Sequence, residues 1–152
     1  MTKKLIDVYP YIRSEGNVYF LLFKRSSDVV YANQWRMIGG KVEDGETHWQ
    51  AGLRELWEET GIRPKLFWTV PMVNTFYEHQ TDTIHHIPAF AAELSEDQEL
   101  LLNKEHQNYK WFLKKEVKNY LSWPMQIQLI SYVDEIVSES RILDEWLIDF
   151  PQ

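Results

Sequence analysis

The chain has 152 residues, enough for one domain with a core of its own. It has no cysteine, which excludes disulfides, thiolate metal sites and a cysteine nucleophile. A net charge of −7 speaks against a nonspecific binder of DNA or RNA backbones, and a chain with seven Trp is no disordered polymer.

An acidic protein that takes an anionic ligand needs a positive group in its site, and a divalent metal meets that need. No apolar run reaches the length of a membrane span, and Asp7 interrupts the apolar stretch after Lys3-Lys4. The expectation is a soluble, cytoplasmic protein with no membrane or nucleic-acid partner, as a monomer or a homodimer.

In chain order, Val8-Tyr9 with Tyr11-Ile12, and then Val18 to Phe23, read as two strands. Ser14-Glu15-Gly16-Asn17 between them is a turn signal, which predicts a hairpin. A short strand is expected around Trp35 to Ile38, then a helix over 48–60. Thr47 and Gln50 form a Thr-x-x-Gln capping box at its start, and Gly61 stands where a left-handed C-terminal cap belongs. Trp49, Leu53, Leu56 and Trp57 share one arc, which the pattern assigns to the core.

Leu66 to Tyr77 and Ile84 to Leu94 are β-branched and aromatic and predict a second pair of strands. Pro71 and Pro88 mark edges or bulges in them. Ser95 to Lys104 reads as an acidic loop and Tyr109 to Phe112 as a short strand. Helices are expected over Lys114 to Leu121 and Pro124 to Ser138, the second with Pro124 in its first turn and a largely apolar 3-4 stripe.

Chemistry concentrates in Gly39-Gly40-Lys41-Val42-Glu43-Asp44-Gly45-Glu46 and the helix that follows. Glu55, Glu58 and Glu59 stand at i, i+3 and i+4, within an arc of roughly 100°. Like charges so placed repel, and a hard divalent cation relieves the repulsion because carboxylate oxygens are its preferred ligands. Ala51 and Gly52 flank this face, and their small side chains predict room for a metal and a phosphate, while the helix-propensity cost of Gly52 points to either a packing or an access reason for it. Taken alone, a Glu-rich helix face is usually solvated surface.

The wider spacing changes that reading. Gly40, five residues, Glu46, seven residues, then Arg54-Glu55-Leu56-Trp57-Glu58-Glu59-Thr60-Gly61-Ile62 is a complete Nudix box. The sequence resembles a Nudix hydrolase, and the box covers 23 of its 152 residues. The resemblance implies an α/β fold: an α/β/α sandwich around a mixed, mostly antiparallel sheet, as one domain over 1–152. Residues 139–152 form an extension with no predicted place.

By the same resemblance, Glu55, Glu58 and Glu59 with the backbone carbonyl of Gly40 hold Mg²⁺, with Mn²⁺ as the alternative. Arg54 orients these carboxylates and Glu46 anchors the loop, both in structural roles. Arg25, at the end of the second strand, and Lys41 are candidate substrate-binding residues. So is Trp35, which either stacks on a base or packs in the core. His79, His85 and His86 lack a zinc spacing and read as surface or substrate-loop residues.

Glu105-His106-Gln107-Asn108-Tyr109-Lys110-Trp111 is similar to a segment of two Nudix groups, the dATP and dihydroneopterin triphosphate pyrophosphohydrolases and the asymmetric dinucleoside tetraphosphatases. In both, the glutamate reaches the metal site, so Glu105 is a candidate further ligand or general base, with Glu55 as the other candidate base. Met37-Ile38-Gly39-Gly40 before the box, and Ser122-Trp123 opening the last helix, resemble the triphosphate group more closely. The expected reaction is Mg²⁺-dependent hydrolysis of a nucleoside triphosphate, dATP-like, to the monophosphate and pyrophosphate. Hydrolysis of a dinucleoside tetraphosphate is the first alternative and a non-catalytic nucleotide-binding module the second.

Overall fold

The computed structural model describes residues 4–25, 34–101 and 106–151. The elements are β1 (Leu5–Ser14), β2 (Asn17–Arg25), β3 (Trp35–Arg36), β4 (Ile38–Lys41), α1 (His48–Thr60), β5 (Leu66–Glu78), β6 (Thr83–Glu93), β7 (His106–Phe112), α2 (Lys114–Val117) and α3 (Pro124–Ser138). A 3₁₀ turn follows at Asp144–Trp146. Among the described residues no helix is long and apolar enough to cross a membrane.

The strands form one mixed sheet in the order β3-β2-β1-β6-β5, with β4 paired to β1 and β7 to β2. Only β1 and β6 run parallel among the described pairs. The β1–β2 hairpin turns through Glu15 and Gly16, both at positive φ (52° and 79°), as a two-residue primed turn requires. Pro10 does not split β1. It lies between the residues that pair with β4 and those that pair with β2. Pro71 falls in the register shift between Thr69 and Val73 of β5, the predicted bulge, with Pro88 opposite Val73.

Side chains alternate along these strands and build a core on each face. Ile6, Val8 and Ile12 of β1 join Leu21, Phe23, Phe67 and Phe90 beneath α1. Tyr9 and Tyr11 join Phe20, Leu22 and Trp68 beneath Leu129, Ile130 and Val133 of α3. Helices thus cover both faces, the three-layer arrangement that the resemblance implies.

The boundaries of α1 follow its caps. Gln50 N–H donates to Thr47 Oγ1 (3.2 Å), Thr47 N–H donates to Gln50 Oε1 (2.8 Å), and Gly61 at φ 70° closes the helix. The buried stripe differs from the predicted one. It runs through Ala51, Gly52, Leu56, Glu59 and Thr60, while Trp57 is exposed and lies under the Arg63 guanidinium at 5.2 Å. Gly52 therefore serves helix–sheet packing, not phosphate access. A Cβ there would meet Phe67 Cζ at 3.0 Å and Val8 Cγ2 at 3.3 Å. Overpacking costs about 1–3 kcal/mol against a helix-propensity gain of up to ~1 kcal/mol. Gly52→Ala is expected to lower the melting temperature, and an unchanged or raised value in a thermal melt would contradict this.

The helix expected over Lys114 to Leu121 is shorter. After Val117 the chain closes tight turns, with Asn119 N–H on the Glu116 carbonyl and Tyr120 N–H on that of Val117. These turns set Tyr120 against Phe112, ring centroids 4.5 Å apart. The stripe on α3 includes a polar residue that the apolar pattern passed over, the buried Gln126. The C-terminal extension returns to the body: Trp146 stacks on Trp68, Ile148 N–H donates to the Phe67 carbonyl, and the Phe150 side chain is buried.

Candidate active site

Register places the box. β4 pairs with β1 so that Gly39 lies opposite Asp7 and Gly40 opposite Ile6, and the following loop leads into α1. Arg54 organises the loop. Its guanidinium donates twice to Glu46 (Nε–Oε2 2.7 Å, Nη2–Oε1 3.0 Å) and once to the Lys41 carbonyl (2.8 Å). Glu46 in turn accepts from Glu43 N–H at 2.9 Å. Such paired charge-assisted bonds fix direction as well as distance. Nη1 of the same guanidinium donates to Glu55 Oε1 (2.9 Å) and lies 3.3 Å from Glu58 Oε2 and 3.6 Å from Glu43.

Electrostatics follow from this hub. Hydrogen bonds to Glu46 hold the Arg54 pKa above its ordinary value, with Glu55 adding to the effect. The same bonds hold the Glu46 carboxyl below its ordinary value. The three box glutamates differ in depth. Glu58 is half-exposed, the Glu55 side chain is 16% exposed, and Glu59 is 5% exposed on the buried stripe of α1. The predicted carboxylate face thus reaches the edge of the core instead of standing apart from it.

A cavity of about 420 Å³ opens over these residues, lined by Arg25, Lys41, Glu43, Arg54, Glu55, Glu58 and Glu59. Arg25 and Lys41 line this cavity together with the glutamates. Among the described residues no three His, Asp or Glu side chains are already gathered as a metal cage. The residues nevertheless fit a hard divalent ion. The donors are carboxylate and carbonyl oxygens, the set such ions prefer. Gly40 also leaves space that Glu55 uses: a Cβ at Gly40 would fall 2.6 Å from Glu55 Oε1. Glu105 lies outside the described residues.

A second cavity, of about 390 Å³, adjoins the first and shares Arg36, Gly39 and Gly40 with it. Its walls are Phe76, His85 and Trp123. The Phe76 ring stacks on His85 at 4.9 Å and tilts against Trp123 at 5.2 Å. Asp7, Asn74 and Gln126, all buried, also line it. Burial pushes the Asp7 carboxyl above the ordinary range, against the opposing pull of the Asn74 hydrogen bond and the Arg36 charge. Burial, with the adjacent Asp7, likewise raises the Tyr9 hydroxyl.

Trp35 lines neither cavity. It packs edge-on against Phe112 and Tyr120, with centroids 5.6 and 5.9 Å away, which is the core-packing outcome. His85 lines the second cavity, whereas His86 faces Thr75 at 3.4 Å.

Comparison with known proteins agrees with this geometry. The NUDIX domain family matches residues 3–132. The chain belongs to the Nudix hydrolase family. It is similar to the nucleoside triphosphatase NudI of Klebsiella pneumoniae (strain 342), 32% identical over 121 residues that span 74% of this chain and 84% of that one. A shorter match, 46% identical over 65 residues, covers 43% of this chain and 50% of the 8-oxo-dGTP diphosphatase of Escherichia coli K12. In fold, the chain is similar to a C. elegans Ap4A hydrolase solved as a binary complex. That likeness has a TM-score of 0.75 at 22% identity and covers 91% of this chain and 99% of that one.

The sequence marks the glutamates, Arg54 and Glu46, and of the second cavity's walls His85 and Trp123, but not Phe76 or the floor. A signal for its floor was present: Asp7 is a carboxylate inside an otherwise apolar strand, Leu5-Ile6-Asp7-Val8-Tyr9. A buried charge of that kind is retained at a cost and often marks a site.

Proposed function

We propose that this Nudix hydrolase cleaves a phosphoanhydride of a nucleoside triphosphate with Mg²⁺, releasing the nucleoside monophosphate and pyrophosphate. The observation that carries the reading is the junction of two cavities. An oxygen-lined cavity over the box glutamates joins an aromatic-walled one through Arg36, Gly39 and Gly40. A triphosphate spans such a pair, with its phosphates over α1 and its nucleoside against Phe76 and Trp123. The second cavity is within the usual range for a small-molecule site. Similarity to a nucleoside triphosphatase supports the substrate class.

Glu55, Glu58, Glu59, the Gly40 carbonyl and Glu105 would hold the divalent ion. A bound divalent ion neutralises phosphate charge and lowers the pKa of water. Arg54 holds Glu55 and Glu58 in place before substrate arrives, so little reorganisation remains for the reaction. Arg25 and Lys41 orient the phosphates. Glu105, next to His106 in the sequence, accepts the proton from the attacking water, with Glu55 as the alternative base. A dATP-like substrate is the reading that the strings before the box and around Trp123 favour.

Hydrolysis of an asymmetric dinucleoside tetraphosphate is the second reading, because the Glu105 to Trp111 string is shared with that group. A panel of nucleoside triphosphates and dinucleoside tetraphosphates, assayed with Mg²⁺ and resolved by chromatography, separates the two. The expected result is monophosphate from the triphosphates with little turnover of the tetraphosphates. Preferential cleavage of a tetraphosphate to triphosphate and monophosphate would reverse the order.

A further inference from the structure

β5 is the last strand in the sheet order, and its second half belongs to a ribbon of two strands. β6 pairs with β1 from Ala89 to Glu93, and from Thr83 to Pro88 it pairs, among the described strands, with β5 alone. A two-stranded ribbon is marginal in water unless something covers it. One face is partly covered, since Phe76 stacks on His85 there and meets Trp123. Register puts Val73, Thr75 and Tyr77 on the other face, opposite Pro88, His86 and Ile84. Val73, Tyr77 and Ile84 are 46%, 58% and 58% exposed. On the outer edge the C-terminal segment stops at Phe67 and Trp68, through the Ile148 N–H and the Trp68–Leu147 bridge. Beyond Pro71, the run Met72 to Tyr77 has neither a charge nor a proline, the usual devices that keep an exposed edge from pairing.

We infer that this edge is where two copies of the chain meet, with β5 pairing antiparallel to β5 of the second copy about a two-fold axis at Thr75. An antiparallel edge is its own complement, which is what an isologous contact requires. With the axis at Thr75, Val73 lies opposite the partner's Tyr77. That is an aromatic–β-branched pair, formed twice, with the two Thr75 side chains opposite each other between them. Tyr77 is already held by its hydroxyl, which donates to Asp82 at 2.7 Å, so its ring loses little freedom on pairing. Charge agrees with a second copy as the occupant. A chain of net charge −7 repels its twin, so the contact must lie on an uncharged stretch. In this register Glu78 lies opposite the partner's Met72, which sets the two Glu78 residues roughly 20 Å apart along the strands, beyond the ~8 Å reach of charges in physiological salt. The ribbon from Pro71 to Pro88 is shorter than the roughly 20–30 residues a side of a standard interface, so the dimer is reversible, with a micromolar dissociation constant.

Sedimentation velocity of the 152-residue chain, from low-micromolar to submillimolar concentration, is the test. Wild type is expected to pass from the monomer mass to twice that mass over this range. Thr75→Lys and Thr75→Glu each set like charges opposite each other at the axis, and each should stay monomeric. An equimolar mixture of the two should dimerise again, because unlike charges then face across the same axis. Thr75 is exposed, so both variants are expected to melt near wild type. The chain has no cysteine, which gives a second reading if a charged variant does not fold. Thr75→Cys should form a covalent dimer under mild oxidation, while Gln128→Cys, at an exposed position of α3, should not. A monomer at every concentration would overturn the inference. So would a dimer that both charged variants form as readily as wild type, a mixture that stays monomeric, or equal cross-linking of the two cysteine variants.

Discussion

Glu59→Gln is expected to abolish most nucleoside triphosphate hydrolysis, a loss well beyond the roughly 10–100-fold typical of partners that only support a metal ligand. Glutamine keeps the shape of the side chain and removes its charge. At this 5% exposed position on the buried stripe of α1, that change relieves burial of a carboxylate, so the melting temperature should hold. Glu58→Gln should act in the same direction, and with Glu58 half-exposed it has even less reason to disturb the fold. A Glu59→Gln protein that turns over at near wild-type rate with Mg²⁺ would remove the box glutamates from the chemistry. Activity measured beside a thermal melt separates loss of function from loss of structure.

Gly40→Ala carries the second large effect. The added Cβ would fall 2.6 Å from Glu55 Oε1, closer than real Cβ contacts come. The clash involves Glu55 from Cγ outward, with Cδ nearest of all, so the whole carboxyl end of Glu55 must swing away while the strand stays. A displacement on the order of 1 Å in a catalytic arrangement can cost about 10²-fold. We therefore expect kcat to fall by about that factor with only a small change in melting temperature. Unchanged kcat would show that the Glu55 position is not needed. Collapse of the melting temperature would show that Gly40 serves the β1–β4 pairing instead.

The parts of the molecule that were legible in the sequence are those whose signals are local. The limits of α1 follow from Thr47, Gln50 and Gly61, each acting within one turn of the helix end. The β1–β2 turn follows from Glu15 and Gly16, and the bulge in β5 from Pro71. The charged hub was legible through spacing, since Glu46 and Arg54 belong to one continuous motif.

What escaped depends on contacts distant in sequence. Trp57 sits on the predicted apolar arc, but the sheet meets α1 along Gly52 and Leu56, and Phe67 and Phe90 decide that. Residues 139–151 lack a periodic pattern because their anchors, Trp68 and Phe67, lie on β5. Asp7, Asn74 and Gln126 are 67 and 119 residues apart along the chain from the shared carboxylate, and no local rule joins them. Glu105, placed near the metal by resemblance, lies outside the described residues.

Hydrolysis of the preferred triphosphate in ¹⁸O-labelled water with Mg²⁺, followed by ³¹P NMR, tests the central claim most directly. Attack of water on a phosphoanhydride predicts one ¹⁸O in a phosphate-containing product, none in the nucleoside hydroxyl groups, and pyrophosphate leaving in one piece beside the monophosphate. Release of orthophosphate in successive steps through the diphosphate, or the same turnover when the divalent ion is chelated, would contradict it.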